Sequence, residues 1–337
     1  MKKTLILTTI IMFCIFAITC ASAPKPSTLS DDLITLYRSG TPEQINKVIQ
    51  AGASMRERDK SGMTPLMYAS QSNPNPEVIS LLINAGASVN DKSNSLKTPL
   101  MWASSSNHNP EIISVLLKAG ASVTDRDRGT EIGDFNDGET PLMRAAMMNN
   151  PEVISLLLKA GASHRDQNKD GETPLMIATR SNKNLEVIKL LRKAGASVSV
   201  PDKLGMTPLM WAATNSEHLE VLLWLLEVGA SVTDRDKMGQ TPLMEAAMWD
   251  ASPEVISVLL NAGADPTDRD KLGKTALMWA VTAISRKNTP EIVSMLLNAG
   301  ADGKVKSNEG MTAFDYAKKN PAFKDTSVYL MLKNAQM

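Results

Sequence analysis

Residues 59–89 read DKSGMTPLMYASQSNPNPEVISLLINAGASV, and this stretch decides the fold of the whole chain. Its tetrapeptide Thr64-Pro65-Leu66-Met67 recurs along the sequence, with one late copy that reads Thr-Ala-Leu-Met. The copies begin at Thr64, Thr98, Thr140, Thr173, Thr207, Thr241 and Thr275, so successive copies are 34, 42, 33, 34, 34 and 34 residues apart. A fixed period of this length predicts a stack of identical supersecondary units, not a globule around one active-site cleft. Such a stack indicates a surface that holds another macromolecule.

Each period predicts two helices. Thr64 is a favoured N-cap residue, and Pro65 suits the first helical position, where its missing N–H costs nothing. A second start signal follows at Asn75-Pro76-Glu77, whose acid favours the helix dipole. Gly86 suits the left-handed residue that ends the second helix, and an Asp-x-x-Gly turn leads into the next period.

Helix, tight turn, antiparallel helix and projecting turn make this repeat similar to the ankyrin repeat. The resemblance covers about residues 30–337, and it depends on Thr-Pro-Leu, on Gly-Ala after the second helix and on Asp-x-x-Gly, all in phase. It implies an all-α repeat solenoid of stacked helix-turn-helix repeats. The first helices would line a concave face and the turns would project as fingers. The usual role that the resemblance implies is protein–protein binding.

We predict three segments in the chain: a signal peptide (1–21), a linker (22–29) and a repeat domain (30–337). The domain comprises an N-terminal cap (30–58), repeats 59–92, 93–127, 137–168, 169–201, 202–235, 236–269 and 270–306, and a C-terminal cap (307–337). Atypical end units are expected because each has a neighbour on one side only. Eight extra residues, 128–135, lengthen one finger, and three more are added between Ala283 and Asn288.

The repeats depart from the family in one systematic way. Where the family usually has His after Thr-Pro-Leu, this chain has methionine, at positions 67, 101, 143, 176, 210, 244 and 278. We interpret these residues as apolar packing, since Met fills irregular gaps. The alternative is a methionine ladder that serves as an oxidation sink or a soft-metal site. Equivalent residues of stacked repeats are about 10 Å apart, the spacing of packed helices, which is too far to share one ion.

The candidate binding surface is the side of each first helix that faces away from the predicted core. Counted from the Thr, positions +2, +5 and +6 point to the core, so at about 100° per residue positions +4, +7 and +8 lie opposite. The resemblance makes that side the concave face. The +4 row contains Tyr68, Trp102, Arg144, Ile177, Trp211, Glu245 and Trp279, and positions +7 and +8 add Met147, Met148, Arg180, Met248 and Trp249.

From this surface we predict partner contacts by Tyr68, Trp102, Arg144, Met147, Met148, Arg180, Trp211, Met248, Trp249 and Trp279, and by Phe135 on the long finger. Aromatic and Met side chains and Arg are enriched in interface cores. Aromatic residues at +4 can also lie half-buried against the next turn, and Phe135 could equally fold back as a plug. We expect Trp211→Ala or Trp249→Ala to weaken partner binding with little effect on thermal stability.

The N-terminal residues predict export. Lys2 and Lys3 precede an apolar run at 5–18 and small residues at 21–23, the pattern of a secretory signal peptide. The run is shorter than the roughly 18–20 apolar residues of a spanning helix, although an uncleaved anchor and lipidation at Cys20 are alternatives. Cleavage after Ala21 would remove both cysteines and so exclude disulfides. The predicted location is periplasmic or secreted, in a bacterial setting.

Composition and motifs argue against other functions. The 36 basic and 36 acidic side chains give a formal net charge of zero, unlike the basic field of nucleic-acid binding. There is no Gly-rich phosphate loop, His-Glu-x-x-His or Gly-x-Ser-x-Gly motif. The Thr-Asp-Arg-Asp runs at 124–127, 233–236 and 267–270 indicate a charged ladder rather than calcium sites.

We therefore expect a non-catalytic, monomeric scaffold for a protein partner, with no cofactor and no metal. Three more specific functions remain open. The first is a periplasmic adaptor. The second is a secreted protein that engages a host protein. The third is an oxidative-stress or metal-handling protein built on the methionines.

Overall fold

The computed structural model describes residues 29–107, 109–129, 137–148, 150–181, 184–215, 219–249, 251–282, 289–319, 323–324 and 326–337. The expectations for the signal peptide, Cys20 and Phe135 lie outside these residues. Within them the structure contains eighteen α-helices and no β-strand. The all-α repeat fold class is thus confirmed. The chain forms two compact units, one up to Lys169 and one from Asp170.

In the first unit the helices are α1 (Asp31–Ser39), α2 (Pro42–Gln50), α3 (Pro65–Ser72), α4 (Pro76–Asn84), α5 (Pro99–Ser106), α6 (Pro110–Lys118), α7 (Pro141–Met147) and α8 (Pro151–Lys159). In the second unit they are α9 (Pro174–Ser181), α10 (Leu185–Lys193), α11 (Pro208–Ala213), α12 (Leu219–Glu227), α13 (Pro242–Met248), α14 (Pro253–Asn261), α15 (Ala276–Thr282), α16 (Thr289–Asn298), α17 (Ala313–Lys318) and α18 (Ser327–Asn334).

Within each unit the first helices of neighbouring repeats pack on one another, and so do the second helices. In the first unit α3 contacts α5, and α4 contacts α6; in the second unit α11 contacts α13, and α12 contacts α14. The side chains between the layers are apolar, and the leucine of every Thr-Pro-Leu motif is fully buried. Burying one such side chain stabilises the fold by about 1.5–3 kcal/mol. The stacked leucines therefore make one continuous core within each unit.

The helix ends carry the predicted caps. The Thr64 hydroxyl accepts a hydrogen bond from the Met67 N–H, and the Asn75 side chain accepts one from the Glu77 N–H at 2.9 Å. Gly86 ends α4 with φ 94°, a left-handed conformation that favours glycine. Local sequence thus sets the length of each helix, and packing against the neighbours holds it in place.

The seven motif methionines are buried, and some of them also accept a hydrogen bond. Each side chain is essentially inaccessible to solvent. In four repeats the thioether sulfur also accepts the backbone N–H of the capping Thr, from Thr64, Thr140, Thr173 and Thr207, at 3.4–3.5 Å. A thioether is a weak acceptor, so this contact satisfies the cap N–H while the rest of the side chain packs. The motif methionines therefore pack in the core and, in these four repeats, also keep a polar contact with the capping Thr.

The N-terminal cap has a small core of its own. Tyr37 and Ile45 are fully buried, and the Asn73 amide of the next repeat donates to the Tyr37 and Gly40 carbonyls, both at 3.1 Å. Leu29, the last residue of the predicted linker, is also buried. Packing of this domain thus includes at least one residue before its expected start.

Candidate protein-binding surface

In several repeats the +4 side chain connects the first helix to the finger of the same repeat. The Tyr68 hydroxyl donates to Asp59 Oδ2 at 2.6 Å, and Trp211 Nε1 donates to Asp202 Oδ2 at 3.1 Å. The other oxygen of Asp202 accepts the N–H groups of Leu204 and Met206 inside the turn. Trp279 repeats this arrangement with Asp270, at 2.9 Å. One aspartate thus shapes the finger and holds it against the helix.

The prediction that position +4 is an open surface is wrong for Tyr68, Ile177 and Glu245, which are buried. Trp102, Trp211 and Trp279 are half-buried. The helical wheel placed these residues opposite the core correctly, but it takes no account of the side chains that cover them. The Arg38 guanidinium lies 4.9 Å from the centre of the Tyr68 ring, for example. The half-buried alternative therefore describes this row better.

The two predicted arginines have partners within the fold. Arg144 forms ion pairs with Asp127 and, at 2.8 Å, with Glu139, and its side chain is largely buried. Arg180 pairs with Glu172 at 3.2 Å and lies 5.5 Å from the centre of the Trp211 ring. Arg144 thus holds α7 against its finger, and Arg180 links two neighbouring repeats, so only part of each guanidinium could meet a partner.

Positions +7 and +8 include the predicted residues that are exposed. Trp249 is 51% exposed and Met148 is 39% exposed, whereas Met147 and Met248 are half-buried. Trp249 follows the last residue of α13, and its Nε1 donates to Glu245 Oε2 at 3.2 Å. This bond restrains the orientation of an indole ring that belongs to a half-exposed residue. In the second unit, Trp249 is thus the predicted residue best placed for contact.

Glu245 differs from the aromatic and arginine side chains of the +4 row, because a carboxyl stands where they carry a hydrogen-bond donor. The pKa of the Glu245 carboxyl is raised to about 7, chiefly by burial and also by the charge of Asp236, while the Trp249 hydrogen bond acts in the opposite direction. Burial also raises the pKa of Asp236, the finger aspartate of this repeat. The hydrogen-bond acceptor of Trp249 is therefore a carboxyl whose pKa lies near neutral pH.

In the repeat of Trp102 the finger aspartate is missing. Ser93 stands in its place, and within the described residues the buried Trp102 Nε1 has no acceptor. We expect Ser93→Asp to raise the free energy of unfolding by about 1 kcal/mol, the net value of a typical hydrogen bond. Urea unfolding of both proteins measures this difference. In a Trp102→Phe background the gain should shrink, because no indole N–H remains; an equal gain there would contradict the explanation.

A second candidate surface, which is not among the residues predicted from sequence, lies at the finger tips. We define the finger tip as the residue just before the turn glycine. The tips of three consecutive repeats in the second unit are Leu204, Met238 and Leu272, which are 61%, 47% and 43% exposed. The signal was available as Lys-Leu-Gly, Lys-Met-Gly and Lys-Leu-Gly in equivalent turns, where the repeat at 59–92 has Lys-Ser-Gly.

Backbone hydrogen bonds connect these tips. Lys237 N donates to the Leu204 carbonyl at 2.8 Å, and Lys271 N donates to the Met238 carbonyl at 2.9 Å. Gly205 permits this approach: its φ is 87°, and a Cβ there would lie 2.7 Å from Lys237 N. Arg235 adds a link, since its guanidinium donates to the Gly239 and Arg269 carbonyls. The arginine of this Thr-Asp-Arg-Asp run thus forms part of a charged ladder.

Other kinds of site are less developed in the described part of the chain. No group of three or more His, Cys, Asp or Glu side chains there is arranged to hold a metal ion. None of the described helices is both long and apolar enough to cross a membrane. Two open depressions lie in this part of the chain, one beside Pro74 and Asn107 and one beside Leu297 and Met331.

Comparison with known families agrees with the repeat structure. "Ankyrin repeats (3 copies)" matches residues 33–127, 128–202 and 182–270, and "Ankyrin repeat" matches residues 272–308. A search of curated proteins found no match. The matches cover most of the chain and coincide with the stacked helix pairs, the capped helix starts and the projecting turns. The chain therefore belongs to the ankyrin repeat proteins.

Proposed function

We propose that this chain is a non-catalytic scaffold, exported from the cytoplasm, that binds a partner protein through the surface around Trp249. Its ankyrin repeats suggest a protein–protein interaction scaffold. The observation that carries the proposal is the exposed ring of Trp249, held by its bond to the buried Glu245. Tryptophan is among the residues that contribute most to interface energies, and a ring held in place loses little entropy on binding.

Export is supported by the charged, apolar and small-residue segments at residues 2–23. We propose cleavage after Ala21 and a periplasmic or secreted mature protein. Cell fractionation followed by mass measurement of the intact protein tests both points. A mature chain that begins at Ser22 supports the proposal, a chain that keeps residues 1–21 indicates an anchor, and a lipid mass on Cys20 indicates lipidation.

We expect Trp249→Ala to weaken partner binding by roughly 30-fold, corresponding to a hot-spot loss of about 2 kcal/mol, without lowering the melting temperature. Contrary to the expectation from sequence, Trp211→Ala should lower the melting temperature by several degrees, because the half-buried indole loses its bond to Asp202. The partner is obtained by affinity capture with the full chain, identified by mass spectrometry and then titrated against each purified variant.

The matched control is Leu223→Ala on α12, which removes an exposed apolar side chain from a second helix. It should leave binding unchanged. If Trp249→Ala binds as tightly as the wild type, or if Leu223→Ala weakens binding equally, the proposed surface is wrong.

A further inference from the structure

The finger-tip row of the second unit combines apolar and basic side chains in register. Leu204, Met238 and Leu272 are each preceded by a lysine, at 203, 237 and 271, and all three lysines are exposed. The tips on either side of this row are polar, Asp170 before it and Glu309 after it. Single exposed apolar residues are ordinary on a protein surface. Three at the same position in consecutive repeats form a defined row.

The acidic and basic side chains around this row differ in their exposure to solvent. In the two leucine turns the aspartates are buried and accept N–H groups of their own turn; Asp202, for example, binds the Leu204 and Met206 amides. In the same turns the lysine side chains project into solvent. A partner that approaches the tips therefore meets ammonium groups and apolar side chains first.

We propose that this finger-tip row binds an acidic, extended segment of a partner protein that presents an apolar side chain at every third residue. The inference rests on the proposed role as a protein-binding scaffold and names the chemistry of the partner. Acidic side chains of the segment would pair with Lys203, Lys237 and Lys271. Its apolar side chains would cover Leu204, Met238 and Leu272.

The spacing of the tips favours an extended segment. Neighbouring tips are connected by a short path. The carbonyl of the tip residue Leu204 accepts a hydrogen bond from Lys237 N, and the next residue, Met238, is the neighbouring tip. Packed repeats are about 10 Å apart, and a polyproline-type strand advances about 9 Å in three residues, with every third side chain on the same face. A helical partner normally lies in an apolar groove, whereas this row is one side chain wide.

The test uses a displayed library of random 12-residue peptides, selected on the full chain. Enriched peptides are synthesised with a fluorescent label and titrated by anisotropy. One variant removes the apolar tips (Leu204→Ser, Met238→Ser and Leu272→Ser), and a second removes the charges (Lys203→Gln, Lys237→Gln and Lys271→Gln). Lys60→Gln in the first unit, beside the polar tip Ser61, is the matched control. Because all these side chains are exposed, circular dichroism should show unchanged folding.

We expect the enriched peptides to carry Asp or Glu and apolar residues three positions apart. Each triple variant should weaken their binding at least ten-fold, the lysine variant should also remove its salt dependence, and Lys60→Gln should have no effect. The inference is overturned if no peptide is enriched, if apolar residues recur every seven positions, or if the triple variants bind as the wild type does. It is also overturned if a polyphosphate binds equally well, since the apolar tips would then be irrelevant.

A separate titration with Trp249→Ala distinguishes the two proposals. Peptides that need Trp249 but not the tips would overturn the finger-tip inference and leave the proposed function intact. Peptides that need the tips but not Trp249 would support the finger-tip inference and move the contact surface away from Trp249.

Discussion

Replacing Glu245 with Gln is expected to stabilise the protein by about 3 kcal/mol at pH 8. The carboxyl is buried, and its pKa is raised from 4.5 to about 7. Each unit of such a difference corresponds to about 1.4 kcal/mol between the two protonation states. A neutral amide of the same shape avoids the burial of a charge. It can still accept from Trp249 Nε1, and its NH2 group can donate.

The direction of the pH dependence follows from proton binding. Between pH 4.5 and 7 the folded state holds a proton on Glu245 that the unfolded state has released. This stabilisation is complete below pH 4.5 and is lost as the pH rises through 7. The advantage of the Gln variant should therefore be small at pH 4.5 and grow to its full value above pH 7.

Urea unfolding of wild type and variant at pH 4.5 and at pH 8 measures this change. Glu254→Gln is the control, because that carboxyl is on the surface at the start of α14 and its pKa is lowered, chiefly by a hydrogen bond with Ser252. It should give no gain at pH 8. A Glu245→Gln advantage that is the same at both pH values would exclude titration of this carboxyl as the cause.

The second large effect is expected for Asp202→Ala, which should lower the free energy of unfolding by at least about 3 kcal/mol. The carboxylate accepts three hydrogen bonds, from the Leu204 and Met206 amides and from Trp211 Nε1. Hydrogen bonds to a charged group contribute about 1.5–3 kcal/mol each, and a buried donor without a partner is unfavourable. The finger would lose its shape and its contact with α11 together.

Asp202→Asn separates these two roles. Its oxygen can still accept the turn amides, but its NH2 group cannot accept from the indole, so we expect about half of the loss. Hydrogen exchange at the 204 and 206 amides should rise strongly in the Ala variant and only slightly in the Asn variant. Lys203→Ala, at the exposed neighbour, should change neither measurement.

The period and the caps made the fold predictable from sequence. Thr64, Pro65 and Gly86 act within a few residues of themselves, so their roles can be inferred from local rules. The family and the all-α repeat class followed from their repetition. The thioether contact of Met67 could not be inferred this way, since it depends on how far the sulfur reaches towards the Thr64 N–H.

The binding surface was less predictable because it depends on neighbours that are distant in sequence. A helical wheel places Tyr68 opposite the core, yet Arg38, thirty residues earlier, lies over its ring. Glu245 was in the same row, but its raised pKa comes from burial and from Asp236. The apolar finger tips were readable, because Leu204 stands where another repeat has Ser61. The prediction from sequence rested mainly on aromatic residues and so did not include these aliphatic side chains.

Oxidation of the buried methionines also provides a measure of how often each repeat opens locally. An oxidant modifies a thioether mainly when solvent can reach it, and these side chains are inaccessible in the closed repeat. Brief peroxide exposure followed by peptide mass spectrometry would therefore record how often each repeat opens. Since the sulfoxide is too polar for its former place, a repeat modified while open would be hindered from closing again.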